Sequence, residues 1–565
     1  MRWILKQEPL DSEIAHLSEV LKVEPLLAKL LLLRGIQNYE EARAFFRPSL
    51  DDLHDPFLMK DMLKAVDRIE LAIQNEERIL VFGDYDVDGT TAVALMASYL
   101  RTITPYVDTY IPDRYKEGYG VSSAGIDYAS DNEMSLIIAL DCGIKSVGLV
   151  DYAKTKGIDF IICDHHLPGS KIPNAVAVLD PKQDDCNYPY NELCGCGVGF
   201  KLIQALSSKR GFTVEDLVPY LDLVATAIGA DIVPITGENR VLAYFGLKVI
   251  NENPRPGIKA LMSLYKQSHF SITDIVFKVA PKINAAGRIE HGKFAVALLT
   301  DFTLEEALLT AEQIVSFNEE RRELDQDITE EALRQIIDHQ EINKKSTVVF
   351  NPSWHKGVIG IVASRLIETY YRPTLVFTRS GDVLAASARS VKNFDVYEAI
   401  EACSEYLIQF GGHMYAAGLT IREDQFDAFK EKFEMVVSST ITEEQLIPEL
   451  EIDAVVDFSQ FTERFSRILK QFEPFGPENL APVFLTKAVY DTGYIQTLGK
   501  DNEHVKMFVK QDATDVGYPA IGFGFGAWKD KLDKRQLFDV VYSLEENKWK
   551  ETSKLQLQIK DMQLS

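Results

Sequence analysis

The chain has 565 residues, of which 46% are hydrophobic and 26% charged, and 60 Lys and Arg against 85 Asp and Glu leave a formal charge of −25. That length exceeds one compact domain and sets an expectation of about three. The acidic balance excludes an unspecific nucleic-acid coat protein, though not a local basic channel. No apolar stretch reaches the length of a membrane span, and Met1–Lys6 is too short in its apolar part for a secretory signal, so the cytosol is the expected compartment.

Residues 1–60 read as an N-terminal helical segment built on the apolar cluster Leu26–Leu33. From Ile79 the pattern changes to short apolar strands, ILVF, YVDTYIP, SLIIAL, DFIIC and AVAVL, alternating with helical stretches. This is an α/β signature with a mostly parallel sheet, over 61–302, and its first helix is read at Thr90–Leu100. Residues 303–345 hold a stretch free of Pro and Gly, Thr303–His339, which predicts a long connecting helix whose Arg321 and Arg322 have neighbouring Glu to pair with. A second α/β unit spans 346–440. A third, 445–565, shows the alternating strands AVVDF, PVFLTKAVY, HVKMFVK, YPAIGFGF and LQLQIKD, an OB-like β-barrel pattern. There Phe458, Phe461 and Phe465 are expected in the core, and Lys500, Lys506, Lys510 and Lys548 are candidates for backbone phosphates.

The chemistry gathers at the predicted strand ends. Asp84, Asp86 and Asp88 follow ILVF at alternate positions, which on an extended segment would share one face. Asp141 closes SLIIAL; Asp164, His165 and His166 close FIIC; Asp231 follows LVATAIGA, read as one more strand end. Carboxyl ends in an open parallel sheet meet along one crevice. Several carboxylates with an imidazole suit two Mn2+ or Mg2+ ions, and carboxylates that close would repel without a cation between them. One histidine can bind metal, leaving its neighbour to contact phosphate or protonate a leaving oxygen. An EF-hand is excluded: the place of its Glu is Leu95, and a strand precedes. Cys186, Cys194 and Cys196 fit no common zinc spacing and read as small residues in a Gly-rich turn.

The segments VFGDYDVDGTT, LDCGI, CDHH and LDLVATAIGADIVP resemble the successive motifs of the DHH phosphoesterases. PDRYKEGYG, LCGCGVGFK, PKINAAGR, WHKGVIGIVASRL, SARS and FGGHMYAAGL narrow the resemblance to the branch of single-strand-specific 5′→3′ DNA exonucleases with DHH, DHHA1 and OB-like domains. Cys194 and Cys196 sit in a Gly-rich motif where another small residue is expected at one of the two positions. The resemblance implies two-metal phosphodiester hydrolysis in recombination and repair. It makes Asp86, Asp88, Asp141, His165 and Asp231 metal ligands, with Asp141 as the bridge, and Asp84 a ligand or an acceptor behind the ligands. Asp164 would orient a histidine, His166 would face the scissile phosphate, and Asp222 would lie behind the site or be a polar residue at the edge of the core. A second cluster would hold the 5′ phosphate across a groove from the metal site: Arg114, Tyr119, Arg288, Ser387, Arg389 and Ser390, with Gly411, Gly412 and His413 in a turn leading into a helix. The implied partners are single-stranded DNA, a single-strand-binding protein and a RecQ-like helicase, the enzyme itself acting as a monomer. The competing readings are a DHH nuclease of short RNA or cyclic dinucleotides and an inactive replication scaffold.

Overall fold

The computed structural model describes the chain apart from residues 302, 513, 515, 533, 534, 550, 551 and 565 and the side chains of 547–549 and 552–554, so the Lys548 side chain lies outside the described residues. The chain forms two units: residues 3–112, 117–280 and 450–565 pack as one, residues 1–2, 113–116 and 281–449 as the other.

In the larger unit, β1 (Arg2–Leu5) precedes three short helices, α1 (Asp11–Leu21), α2 (Pro25–Leu32) and α3 (Tyr39–Phe46). Pro25 sits in the first turn of α2, where its missing N–H costs nothing. Asn38 caps α3 by accepting from Glu41 N. Next come α4 (Met62–Gln74), β2 (Arg78–Gly83), α5 (Val87–Leu100), β3 (Val107–Tyr110), α6 (Ser123–Asp131), β4 (Met134–Leu140), α7 (Val147–Thr155), β5 (Asp159–Cys163) and β6 (Ala177–Leu179). The five strands β2–β6 form one parallel sheet in the order β3-β2-β4-β5-β6. The central strands are apolar on both faces because helices cover both. The helices α8 (Gly195–Lys209), α9 (Leu221–Ala230) and α10 (Gly237–Glu252) follow in the same domain.

Two sequence expectations change here. LVATAIGA is not a strand but helix α9, buried on every side from Leu221 to Gly229; an apolar run buried all round carries no period that separates strand from helix. Helix α5 begins at Val87 rather than Thr90, because Asp86 accepts from Gly89 N (3.0 Å) and caps it three residues earlier.

The other unit carries β7 (Thr347–Phe350), β8 (Thr374–Ser380), β9 (Val383–Arg389), β10 (Leu407–His413) and β11 (Ala416–Ile421), ordered β10-β11-β9-β8-β7. The helix Leu304–Asp338 begins with a Thr303–Glu306 capping box. It is no solvated spacer: Ile328, Ala332 and Ile336 bury themselves with Val358, Val362 and Leu366. Gly411, Gly412 and His413 end the edge strand β10 and turn directly into β11; no helix follows them. The run AAGLTI favours a strand, and Gly412, at φ +151°, has no room for a Cβ beside the Ala416 carbonyl.

The chain then returns to the larger unit. Strand β12 (Glu449–Ile452) pairs with β1, and β13 (Ala454–Val455), β14 (Val483–Asp491), β15 (Gln496–Leu498), β16 (His504–Gln511), β17 (Gly517–Gly522), β18 (Phe538–Trp549) and β19 (Thr552–Leu564) form the OB barrel. Phe458, Phe461 and Phe465 are buried in it, and so are Leu27, Leu30 and Leu31 of α2: the N-terminal helices complete the barrel's core. Arg240 of α10, 5% exposed, ties the parts together. Its guanidinium lies 3.8 Å from the Phe45 ring centroid and donates to the carbonyls of Phe45, Phe472 and Glu473, each at 3.0 Å. Among the described residues, no helix is long and apolar enough to cross a membrane.

Candidate metal centre

Parallel register places the carboxyl ends of four neighbouring strands side by side, since Gly83 aligns with Leu140, Leu140 with Cys163, and Cys163 with Leu179. The next residue in each case is an aspartate: Asp84, Asp141, Asp164 and Asp180. The sequence reading overlooked Asp180, although AVAVL ends on it as SLIIAL ends on Asp141. It is fully buried, accepts from Lys182 N at 2.8 Å through Oδ1, and is pushed up to about 7 by burial.

Asp84, Asp86 and Asp88 do not share the face of an extended segment. Asp84 turns inward to accept from Gly120 N (3.0 Å), Asp86 caps α5, and Asp88 lies in the first helical turn. Both Asp88 oxygens are held by the start of α8, Oδ2 by Gly195 N (2.6 Å) and Oδ1 by Cys196 N (2.8 Å). A helix N-terminus is a natural seat for a carboxylate. Gly195 is required there, because a Cβ would fall 2.5 Å from Asp141 Cβ. Cys194 and Cys196 are buried in this turn, and among the described residues no thiol joins a group of metal-competent side chains. Asp141 itself is in the left-handed region (φ +58°), a conformation aspartate tolerates better than most residues.

His165 lies at the middle. Its Nε2 is 3.2 Å from Asp141 Oδ1, 3.6 Å from Asp231 Oδ2 and 3.8 Å from Asp88 Oδ2, and has no hydrogen-bond partner among the described residues. Asp231 arrives from the C-terminal end of α9 rather than from a strand. Burial, aided by the neighbouring His166, pushes His165 down to about 3, so the ring is a neutral ligand at physiological pH. Burial and mutual repulsion push the carboxylates the other way: Asp88 to about 6, Asp231 to about 8 and Asp141 well above its ordinary range. Asp88, His165 and Asp231 form one group with ligand atoms within 4.8 Å of one another; Asp141, His165 and His166 form another. Buried acceptors that repel, around an imidazole nitrogen with nothing to bond, fit divalent Mn or Mg. Asp86 falls outside both groups, though its charge raises Asp88.

Asp164 serves His166. Its Oδ1 takes His166 Nδ1 at 2.7 Å and His165 N at 2.8 Å, and its Oδ2 takes Ile144 N at 2.9 Å. Burial works against charge on His166, but the Asp164 hydrogen bond together with the charges of Asp164, Asp231 and Asp88 outweighs it and raises the ring's pKa. Tyr119 Oη stands 3.1 Å from His166 Nε2, so this tyrosine belongs with the His166 imidazole at the metal centre. Asp222 is fully buried in a forked ion pair with Arg255 (Nη2 to Oδ1 2.9 Å).

The second unit has its own cationic cluster. Arg389 Nη1 donates to Ser387 Oγ (3.2 Å), and Gly360, in the first turn of helix Ile359–Thr369, packs against both; a Cβ there would lie 3.1 Å from Arg389 Nη2. Arg288 Nη1 donates to the Gly357 carbonyl at 2.9 Å. Burial lowers the Arg288 pKa, and Arg114, Arg321 and Arg389 add to the effect. Arg321, read from sequence as pairing with Glu, instead bonds Asp325 and Asn318 (3.0 and 2.7 Å) and belongs to this cluster. Ser390 Oγ is occupied by the Phe394 carbonyl (2.7 Å), and Gly411, Gly412 and His413 are exposed on β10.

Residues 78–228 match the DHH family N-terminal domain, 324–439 the DHHA1 domain and 452–561 the RecJ OB domain. The single-stranded-DNA-specific exonuclease RecJ of Bacillus subtilis is 36% identical over all of this chain and 71% of its own length. The Escherichia coli protein of the same name is 32% identical over 82% of this chain and 83% of its own. The chain belongs to the RecJ family. Its fold superposes on Thermus thermophilus RecJ, crystallised with Mn2+, with a TM-score of 0.84 at 25% identity over 100% of this chain and 80% of that one. A RecJ bound to manganese gives a TM-score of 0.62 at 29% identity, over 71% of this chain and 99% of that one.

Proposed function

We propose that this chain hydrolyses single-stranded DNA 5′→3′, releasing 5′-mononucleotides, as a cytoplasmic monomer in recombination and repair. The observation that carries the reading is His165 Nε2 held within 3.2–3.8 Å of three carboxylates at the open end of the sheet. Asp88, Asp141, His165 and Asp231 would hold two divalent ions, with Asp86 and Asp84 in support. When bound, such ions supply Lewis acidity and make water a nucleophile near neutral pH. The chain's own work is positional. Asp164 fixes the tautomer and orientation of His166, whose raised pKa suits it to donate to a phosphate oxygen. The start of α8 fixes Asp88.

The two histidines should separate by metal content. His165→Ala is expected to lose bound Mn2+, while His166→Ala keeps it and slows cleavage by about 10²–10⁴-fold. Elemental analysis beside single-turnover rates checks this, and equal metal loss in both would reverse the assignment.

Polarity rests on the second cluster. Four clustered guanidiniums, those of Arg114, Arg288, Arg321 and Arg389, and a helix start suit a terminal phosphate, which a planar fork can grip. Arg389→Ala should raise KM for a 5′-phosphorylated strand about tenfold or more with kcat kept, and leave a 5′-hydroxyl strand unchanged. A fall in kcat alone would place Arg389 at the reacting centre.

The deciding experiment is a strand labelled at either end, incubated with and without Mn2+ beside duplex DNA, RNA and a dinucleotide. Mononucleotides from the 5′ label, with the 3′-labelled strand shortened stepwise, support the reading; preference for the dinucleotide defeats it. A single-strand-binding protein and a RecQ-like helicase are the proposed partners, since both supply the single strands this chemistry consumes.

A further inference from the structure

The residue after Asp231 is Ile232. It is a β-branched residue in the left-handed region (φ +59°), where such side chains are genuine outliers. It is also 66% exposed. A lone exposed isoleucine is ordinary. One held in a costly backbone state, with its apolar side chain in water, next to a candidate metal ligand, is not. Strain of this kind persists only where the surroundings enforce it, and it gathers at functional sites.

The surroundings do enforce it. Downstream, Val233 is buried, and Asn239 Nδ2 donates to the Pro234 carbonyl at 3.0 Å. Ile235 N donates to the Pro477 carbonyl at 2.9 Å, and Gly476 packs so close to Ile235 that a Cβ would lie 2.5 Å from its Cγ1. Upstream, α9 is buried up to Gly229 and ends at Asp231. The chain is fixed on both sides of one residue, and that residue absorbs the turn. The turn aims the Asp231 carboxylate at His165 (3.6 Å) and leaves the side chain of the next residue, Ile232, in solvent.

We propose that Ile232 is a substrate contact: its side chain packs against the base of the nucleotide whose phosphodiester lies at the metal centre. This rests on the single-strand exonuclease reading above. A stretched single strand presents apolar base faces that no partner strand covers, and contact with such a face is tolerant of sequence. The isoleucine would seat the strand without reading it, and a duplex, whose bases are stacked and paired, would lose the contact.

The test compares a 5′-phosphorylated oligonucleotide with the same strand carrying a tetrahydrofuran abasic residue at its first or second position. Wild type should pay about tenfold in kcat/KM for the missing base, mostly in KM, from the loss of one buried aliphatic contact. Ile232→Gly removes the side chain and suits the backbone, so its melting temperature should hold or rise, while its abasic penalty should fall below about twofold. Ile232→Asn, which also tolerates this backbone, should behave like the glycine variant, and Ile232→Val should restore most of the penalty. An abasic penalty unchanged in Ile232→Gly, or absent from wild type, overturns the proposal. Failure of wild type to degrade single-stranded DNA at all overturns the exonuclease reading instead.

Discussion

Asp141→Asn should lower kcat for single-stranded DNA by about 10³-fold or more while leaving DNA affinity within about threefold. Asparagine is the right substitute because it keeps the shape and tolerates the left-handed backbone at φ +58°. What it removes is charge. Asp141 faces His165 Nε2 at 3.2 Å, lies against Gly195, and forms one of the two metal-competent groups with His165 and His166. Metal-assisted stabilisation amounts to several kcal/mol, and each 1.36 kcal/mol lost is about tenfold in rate. Burial and the Asp88 charge hold Asp141 well above its ordinary pKa, so without metal the asparagine should also make the fold more stable, the usual exchange of activity for stability at a strained site. Single-turnover rates, a binding isotherm and a melting curve in EDTA test the three parts. Near-normal turnover in a folded variant would remove the two-metal account.

Residues such as Asp141 and Asp164 end apolar runs that only a parallel sheet accommodates, so their convergence follows from the pattern. Asp231 converges for another reason, at a helix C-terminus. Its approach to His165 depends on where α9 packs, which no local pattern encodes. Asp86 and Asp88 follow the same lesson: alternate spacing looked like one face of a strand, but a capping aspartate starts a helix as soon as the backbone allows. The FGGH segment misled because paired glycines open hairpins as readily as anion-binding turns. The N-terminal helices gave no chemical signal, since their role is to bury leucines against barrel residues more than 400 positions away in sequence, such as Phe465.

Removing divalent metal should make the protein less stable as pH rises from about 6.5 to 8, and added Mn2+ should raise the melting temperature more at pH 8 than at 6.5. The sign comes from protons. Asp231 is pushed up to about 8 by burial and the Asp88 charge, and Asp141 is raised as well, whereas in the unfolded chain both are fully ionised above about pH 6. Across this window the folded state holds more protons than the unfolded state, so stability falls with rising pH, by at most about 2 kcal/mol for each retained proton. His166, raised by Asp164, acts in the same direction. His165, down at about 3, binds no proton in the folded state, but unfolded it is about half protonated at pH 6.5, so it opposes the carboxylates by a few tenths of a kcal/mol at the start of the window and drops out above about pH 7.5. Below pH 6.5 that opposition grows, which is why the window starts there. Metal displaces the retained protons, so its affinity and its stabilisation both grow as they leave. Asp231→Asn supplies the control, since it should flatten the metal-free slope and shrink the Mn2+ shift together. A metal-free melting temperature that climbs between pH 6.5 and 8, or a Mn2+ shift that ignores pH, would mean that these carboxylates are already ionised without a cation and that repulsion among them is not what calls for one.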